Sequence, residues 1–313
     1  MSEKPLQGKV AVVTGATRGC GRGIAVELGA LGATVFVTGR STREQASAIG
    51  RPETIEETAE LVDQAGGRGI PVRCDFTDVS DVDGLRKRIE SEVDGRLDIL
   101  VDDVWGGDRF VDWTSPDPTW WTTLDDALAM VHNGIDSHLI ALHRLLPLLT
   151  ARPGGLVIEV TDGDNDDYVG TGIPYFVVKS TIRALGRALG VELAKHGCVG
   201  LTVTPGFLRS EAMLEHFNVT EETWRDAPKV APSEHAQDYV LSETPRYVGR
   251  GIAALATDPD VKRFAGRTLA SWTLMREYGF TDVDGSQPDW GRWFAEVVEP
   301  GVDRSSVDYE EYR

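Results

Sequence analysis

Short runs of β-branched and aliphatic residues alternate along this chain with segments of helix length, and this alternation most constrains its fold. Apolar runs such as Val10–Val13 suit strands that are buried on both faces, as in a parallel sheet covered by helices. Strands that alternate with amphipathic helices predict a doubly wound α/β fold with a mostly parallel, seven-stranded sheet. The predicted strands are KVAVVTG, ATVFVTG, IPVRCD, LDILVDD, GLVIEVTD, GLTVTPG and RTLASW. The predicted helices span Gly21–Leu31, Pro52–Gln64, Val79–Val93, Leu124–Leu149, Tyr175–His196 and Arg246–Ala256.

The domain organisation follows from what interrupts this pattern. No internal repeat or low-complexity linker divides the 313 residues, so we expect a single domain over residues 1–279. Two stretches break the alternation, Trp105–Thr122 and Phe207–Thr244, and long insertions beyond strand ends are where ligands usually bind in such sheets. Residues 207–244 are predicted to form a substrate lid. Residues 280–313 are predicted to form an acidic C-terminal extension that is a surface wrap or a subunit contact.

Composition excludes several classes of protein. No apolar run approaches the roughly 20 residues that span a bilayer, and the N-terminus lacks a secretory apolar core, so we expect no membrane partner. Three scattered cysteines (Cys20, Cys74 and Cys198) are typical of reduced thiols in a cytoplasmic protein. A formal charge of -18 argues against nucleic acid, whose phosphates need a basic surface. The expected partner is a small-molecule substrate.

A glycine-rich loop follows the first strand directly, in the sequence TGATRGCGRGIA. Gly15, Gly19 and Gly21 are spaced so that the chain turns tightly and its backbone can approach a phosphate. The helix that follows aims its N-terminal amides at a pyrophosphate. Because the glycines lie between a predicted strand and a predicted helix, the loop predicts dinucleotide binding; the alternative is a tight turn without a ligand.

The end of the second strand, TVFVTGR, bears on which dinucleotide binds. Enzymes that use NAD usually carry an acid there for the ribose 2′-hydroxyl, whereas this chain has Arg40, with Arg18 in the glycine loop. Two guanidinium groups suit a 2′-phosphate, so NADP(H) is favoured over NAD(H). Asp75, after the third strand, is placed to accept from an adenine amino group, or else it is a turn residue.

Tyr175 and Lys179 lie just beyond the fifth strand, at the start of a predicted helix. Their spacing of four places both side chains on one face, one turn apart. A tyrosine beside an ammonium group is a candidate for proton transfer, because the positive charge favours the phenolate. The alternative is a tyrosine packed on the sheet with a solvated lysine.

Together with the glycine loop, this order of motifs resembles the short-chain dehydrogenase/reductase family, whose sheet is Rossmann-like. The resemblance covers about residues 8–275, with further matches at Asn133 and at TPG, Thr204–Gly206. It implies that Tyr175 is the general acid/base, that Lys179 holds the nicotinamide ribose, and that Asn133 supports a proton-relay water. The predicted cofactor-binding residues are Gly15, Thr17, Arg18, Gly19, Cys20, Gly21, Arg40, Asp75, Asp103, Tyr175, Lys179, Pro205 and Gly206. The resemblance also implies a homo-oligomer, a dimer or a tetramer.

Two positions depart from the family pattern. The fourth-strand motif, usually Asn-Asn-Ala-Gly, reads DDVWGG from Asp102 to Gly107. The family's catalytic serine lies thirteen residues before the tyrosine, which here is Asp162; one inserted residue would make the equivalent Thr161. Thr161 could donate a hydroxyl hydrogen bond, whereas an ionised Asp162 only accepts. We expect Thr161 beside Tyr175, with Asp162 as the alternative; an anionic Asp162 would attract a cationic imine or amine.

The sequence therefore predicts an NADP(H)-dependent oxidoreductase that acts on a carbonyl or alcohol carbon. Its rivals are action on an imine, an epimerisation or an elimination, and a cofactor-binding sensor without catalysis. No metal is predicted, because His132, His138 and His143 lack the spacing of a zinc helix and are interpreted as core-edge or interface residues. Asp164, Asp166 and Asp167 are interpreted as solvated loop. Trp105, Trp113, Trp120 and Trp121 either wall a substrate cavity or cover an interface.

Overall fold

One parallel sheet of seven strands forms the centre of the protein, in the order β3-β2-β1-β4-β5-β6-β7. The computed structural model describes residues 4–111, 123–167, 170–230 and 232–313. The strands are β1 Val10–Val13, β2 Thr34–Gly39, β3 Arg68–Arg73, β4 Ile99–Asp102, β5 Leu156–Val160, β6 Val199–Thr204 and β7 Thr268–Ala270. The predicted doubly wound α/β fold is confirmed.

The helices that cover the sheet bury strands β1, β4, β5 and β6 on both faces, whereas the edge strand β3 is partly exposed. The described helices are α1 Gly19–Ala30, α2 Ile55–Ala65, α3 Val79–Val93, α4 Leu124–Val131, α5 Ser137–Leu149, α6 Ile173–Glu192, α7 Glu211–His216, α8 Ala227–Val230, α9 Glu234–Asp238, α10 Pro245–Thr257, α11 Ser271–Tyr278 and α12 Trp290–Trp293. Val13 packs with α1, α2 and α10 on one face, whereas Val12 packs with α3 and α5 on the other. Side chains alternate along a strand, so an unbroken apolar run fills both cores.

Several predicted boundaries shift by a few residues, and two of the changes alter which elements the chain forms. The last strand was predicted to reach Trp272, but it ends at Ala270, and α11 begins at Ser271, where Thr273 closes the first turn by bonding to Ala270. The long helix predicted over Leu124–Leu149 contains one π-helical turn, His132–Asp136, which joins α4 to α5. Such turns occur frequently at functional sites, and this one carries Asn133.

The carboxyl ends of β1, β4 and β5 meet in the middle of one sheet edge. The chain order reverses between β1 and β4, and ligands in open α/β sheets bind at such a switch point. The glycine loop follows β1, the DDVWGG motif follows β4, and Asp162 follows β5.

The lid and the C-terminal extension pack against each other over this edge. Phe217, Trp224 and Tyr239 form the apolar centre of the lid. Trp293 and Tyr312 of the extension pack with Leu241 at the end of the lid. The extension therefore packs against the end of the segment 207–244 that is predicted to form the lid. None of the described helices combines the length and apolarity required to cross a membrane.

Candidate active site

A single cleft of about 1620 Å³ runs along the carboxyl edge of the sheet, from the glycine loop to the start of α6. Its lining includes most of the site residues predicted from the sequence: Gly15, Thr17, Arg18, Gly19, Cys20, Arg40, Asp75, Asp103, Asn133, Thr161, Asp162, Tyr175, Lys179, Pro205 and Gly206. Gly21 lies behind the lining, where a Cβ atom would come within 2.6 Å of the Gly15 carbonyl oxygen. The structure therefore brings the predicted cofactor and catalytic residues into one cavity.

The glycine loop has the geometry of an anion-binding turn. Gly15 has a φ of 66°, and a Cβ atom there would lie 2.7 Å from the Asp103 carbonyl oxygen, so only glycine fits. The Gly19 N–H donates to the carboxylate of Glu211 at 2.9 Å. An acidic side chain therefore already binds the amide that a pyrophosphate would use, which shows that this helix N-terminus accepts an anion.

The adenosine end of the cleft is rich in arginine. The Arg40 side chain is 46% exposed, and its Nη1 lies 3.7 Å from Asp75 Oδ2. The other oxygen of Asp75 accepts from the backbone and hydroxyl of Thr77, so Asp75 also serves as a turn residue. Arg18 and Arg51 line the same region. These side chains could hold an adenosine that carries a phosphate.

Hydrogen bonds of the Thr14 hydroxyl hold the loop that follows β4. The Thr14 hydroxyl donates to Asp102 at 2.7 Å and accepts from the backbone N–H groups of Asp103 and Val104. Asp103, an Asn position in the family, lies against the glycine loop, and burial raises its pKa to about 7. A protonated Asp103 would recover a hydrogen-bond donor that the Asn-to-Asp change removes.

Trp105 connects this loop to the predicted catalytic pair. Its indole N–H donates to Asp108 at 2.6 Å, and its ring meets the Tyr175 ring edge-on at 5.7 Å between centroids. The Lys179 ammonium lies 4.2 Å from the Trp105 ring centroid. Burial lowers the pKa of Lys179, and the nearby carboxylates of Asp162 and Asp103 oppose that change without overcoming it. Trp105 therefore positions both members of the pair.

Asp162, and not Thr161, lies beside the Tyr175 hydroxyl, so the preferred placement of Thr161 is wrong. The Tyr175 O–H donates to Asp162 Oδ2 at 2.6 Å. The Thr161 hydroxyl, which is buried, donates to the backbone carbonyl of Lys179 at 2.9 Å. Side chains alternate as the chain leaves β5, so Thr161 faces α6 and Asp162 faces the cleft.

Asn133 lies on the π-helical turn at the back of the pair. Its amide donates to the Gly106 carbonyl at 3.4 Å, and its own backbone carbonyl accepts from Ser137 at 2.6 Å. Asn133 therefore ties the long helix to the loop after β4. It lines the cleft, as its predicted role requires.

A buried cluster of Asp102, His138 and Glu159 lies beneath the site and was missed by sequence reasoning. His138 Nδ1 lies 2.6 Å from Glu159 and 3.6 Å from Asp102, and Nε2 lies 3.1 Å from the Val104 carbonyl oxygen. Burial alone would lower the pKa of His138, but the two carboxylates outweigh it and raise the pKa to about 9. The three ligand-type atoms lie within 4.8 Å of one another, close enough to share a proton or a metal ion.

His138 is thus a buried residue whose imidazole pairs with two carboxylates, whereas His132 and His143 are exposed. The sequence carries one signal of the buried cluster: Glu159 is an acid inside the otherwise apolar strand LVIEV, and its side chain is buried. Glu211 had no such signal, because its contact with Gly19 joins residues 192 positions apart.

Aromatic and apolar side chains from the lid and the C-terminal extension form another wall of the cleft. Phe207 meets Trp290 edge-on at 5.4 Å between ring centroids, and Met213 and Phe294 also line the cavity. Trp105 lines it as well, which supports the cavity-wall interpretation for that residue. Trp113, Trp120 and Trp121 lie outside the described residues.

These features define a dinucleotide-binding α/β protein with a Tyr–Lys pair at the switch point of its sheet. The short chain dehydrogenase family matches residues 9–221, so the chain belongs to that family.

Relatives with curated names and solved structures agree with this assignment. The chain is 32% identical over 284 residues to dehydrogenase/reductase SDR family member 1 of Mus musculus, covering 90% of this chain and 85% of the relative. The same protein of Homo sapiens is 32% identical over 282 residues, with 90% and 85% covered. A short chain dehydrogenase structure from Mycobacterium thermoresistibile has a TM-score of 0.71 at 20% identity, covering 89% and 90% of the two chains.

Proposed function

We propose that this protein is an NADP(H)-dependent oxidoreductase that moves hydride between the nicotinamide and a carbonyl or alcohol carbon. The observation that carries the proposal is that Tyr175 and Lys179 line the same cleft as the glycine loop. When bound, the reduced cofactor would supply a hydride at C4 of its nicotinamide. The residues present fit such a group, since the Gly19 amide binds an anion and only glycine fits at position 15.

The side chains would divide the remaining work. Tyr175 would give a proton to the substrate oxygen or take one from it, and Lys179 would hold the ribose hydroxyls and favour the phenolate electrostatically. Asn133 would support the water that relays the proton. Arg18 and Arg40 would bind the 2′-phosphate. Asp75 would lie at the adenine, and Asp103 would lie at the glycine loop. The cofactor would also contact the wall of the cleft at Thr17, Cys20, Pro205 and Gly206.

We also propose a cellular compartment and an oligomeric state for the enzyme. The three cysteines are free and buried, which suits a reducing compartment such as the cytoplasm. Exposed aliphatic side chains on α4 and α6 favour a homo-oligomer.

The test is turnover of a panel of aldehydes, ketones and alcohols with NADPH or NADP⁺, alongside binding of each cofactor by calorimetry. Turnover with NADPH supports the proposal. The placement of Asp162 where the family has a hydroxyl favours one rival, action on an imine. The other rival is a sensor that binds cofactor without catalysis. Tight NADPH binding with no turnover on any panel member would favour that rival.

A further inference from the structure

The Asp162 carboxylate occupies the position from which a hydroxyl would face the substrate in this family. It already accepts from Tyr175 at 2.6 Å, and an ionised carboxylate cannot donate to a carbonyl oxygen. During carbonyl reduction negative charge develops on that oxygen, and a neighbouring carboxylate opposes it. A substrate that is positively charged before hydride transfer is instead attracted by the carboxylate.

The two ends of the cleft differ in the balance of cationic and acidic side chains that line them. Four cationic residues in the described lining lie around the adenosine end, Arg18, Arg40, Arg51 and Arg73, and three acids, Asp75, Glu211 and Glu215, lie among them. The loops after β4 and β5, helix α6 and the C-terminal extension contribute the cations Arg109 and Lys179 and the acids Asp108, Asp162, Asp164, Asp167 and Glu299. Lys179 is held over the Trp105 ring and would face the ribose. The nicotinamide end therefore favours a cation and the adenosine end favours phosphates.

The apolar walls of the cleft describe the rest of the ligand. Phe207, Trp272, Trp290 and Phe294 line the cleft together with Met213. An aromatic and thioether wall binds an apolar body, with one charged group to fix its orientation.

We propose that the substrate is a protonated imine or iminium ion with an apolar body, bound through Asp162. The inference rests on the proposed hydride transfer and puts an iminium carbon in place of the carbonyl carbon as the preferred hydride acceptor. The step balances: the iminium carbon accepts hydride from the reduced nicotinamide, and the C=N π pair becomes a lone pair on nitrogen. The iminium is reduced to an amine, the nicotinamide is oxidised, and hydride transfer itself consumes no proton.

The test compares an N-methyl dihydroisoquinolinium ion, a permanent cation, with tetralone, a neutral ketone of similar shape, both with NADPH. The wild type should prefer the iminium by about 10²-fold in kcat/KM, the size expected for one desolvated charge pair. Asp162→Asn should remove most of that preference, and Asp162→Ser should raise ketone reduction by about tenfold, because a hydroxyl donor is restored. Asp166→Asn is the matched control: it removes the same charge from the same loop, at a side chain that pairs with Arg183 instead of lining the cleft, and should leave the preference intact.

Binding gives a readout that does not depend on turnover. Protonated N-methyl tetrahydroisoquinoline should bind the NADP⁺ complex of the wild type at least about tenfold more tightly than that of Asp162→Asn. Equal binding to both, or equal kcat/KM for iminium and ketone in the wild type, would overturn the inference. If neither compound is turned over but the ammonium ion binds through Asp162, the proposed hydride transfer fails while the cation site stands.

Discussion

At the residue scale, the proposed choice of cofactor and of substrate rests on two side chains. Arg40 replaces the acid that binds a ribose 2′-hydroxyl in NAD enzymes, and Asp162 replaces the family's serine. Both lie one or two residues beyond a strand end, where a change of side chain alters chemistry without disturbing the sheet. Specificity here is therefore separable from the stability of the fold.

Arg40→Ala should narrow the preference for NADPH over NADH. Charge-assisted hydrogen bonds contribute about 1.5–3 kcal/mol each, so the wild type should bind NADPH at least about tenfold more tightly than NADH. Calorimetric titration of both cofactors against wild type and variant measures this. Arg43→Ala is the control, because Arg43 is exposed and pairs with Glu60. Equal affinity of the wild type for the two cofactors would show that the site does not read the 2′-phosphate.

His138 should remain protonated well above neutral pH. Its pKa is about 9 in the folded protein and near 6.5 when unfolded, so its contribution to stability is present below pH 6.5 and is lost as pH rises through 9. Glu159→Gln should lower the pKa of His138, because one of the two carboxylates that oppose the effect of burial is gone. NMR titration of ¹³C-labelled histidine measures both values. Asp136→Asn, beside exposed His132, should leave the His138 titration unchanged; a wild-type pKa near 6.5 would refute the charged cluster.

At the scale of elements, the predicted lid is in contact with the part of the molecule that carries the glycine loop. Helix α7 places Glu211 on the Gly19 amide and near Arg22, and Glu215 pairs with Arg51. A pyrophosphate at the glycine loop would compete with the Glu211 carboxylate for the same amide. If the cofactor binds as proposed, its binding and the position of α7 would therefore be coupled.

Glu211→Gln should tighten NADPH binding by about three- to tenfold, since a hydrogen bond to a charged group contributes about 1.5–3 kcal/mol and only part of it is lost with the charge. The isosteric change keeps the helix and removes the competing anion. Fluorescence titration of NADPH measures the effect. Glu222→Gln, on the same lid but bonded to Thr220, should have none. Weaker NADPH binding in Glu211→Gln would show that the glutamate assists the cofactor instead.

Elements were more predictable from the sequence than side-chain directions. The apolar run Val10–Val13 and the four-residue spacing of Tyr175 and Lys179 determine strands and helix faces locally, so fold and catalytic pair could be derived. The thirteen-residue spacing before Tyr175 pointed to Asp162, but one inserted residue would have moved that position to Thr161, so the choice between them needed the path of the chain beyond β5. The Glu211 contact with Gly19 depends on how the lid packs on the glycine loop, and that is a property of the folded chain.

At the scale of the whole molecule, an exposed aliphatic surface remains on the helices beside the site. Leu124 and Leu128 on α4 are 61% and 57% exposed, and Ile173 and Val177 on α6 are 54% and 42% exposed. Each pair is four residues apart, so it lies on one helix face, and α4 packs against α6. Such a surface is typical of a contact between subunits.

The wild type should therefore sediment as a multiple of its 34.1 kDa chain. The double variant Leu128→Glu and Val177→Glu should shift it to the monomer, because charges placed at the centre of an apolar interface cannot be solvated. Val191→Glu, at the far end of α6 and 76% exposed, is the matched control and should not dissociate it. A monomeric wild type would remove the case for this interface.

The central claim is that Tyr175 handles the proton in an NADPH-dependent hydride transfer, and Tyr175→Phe tests it most directly. The variant keeps the ring that packs against Trp105 and loses only the hydroxyl. On the carbonyl compound that the wild type reduces fastest, kcat should fall by about 10²–10⁴, the range for a general acid/base group, while NADPH binding is unchanged. Retention of most of the carbonyl reductase activity in Tyr175→Phe would contradict the account.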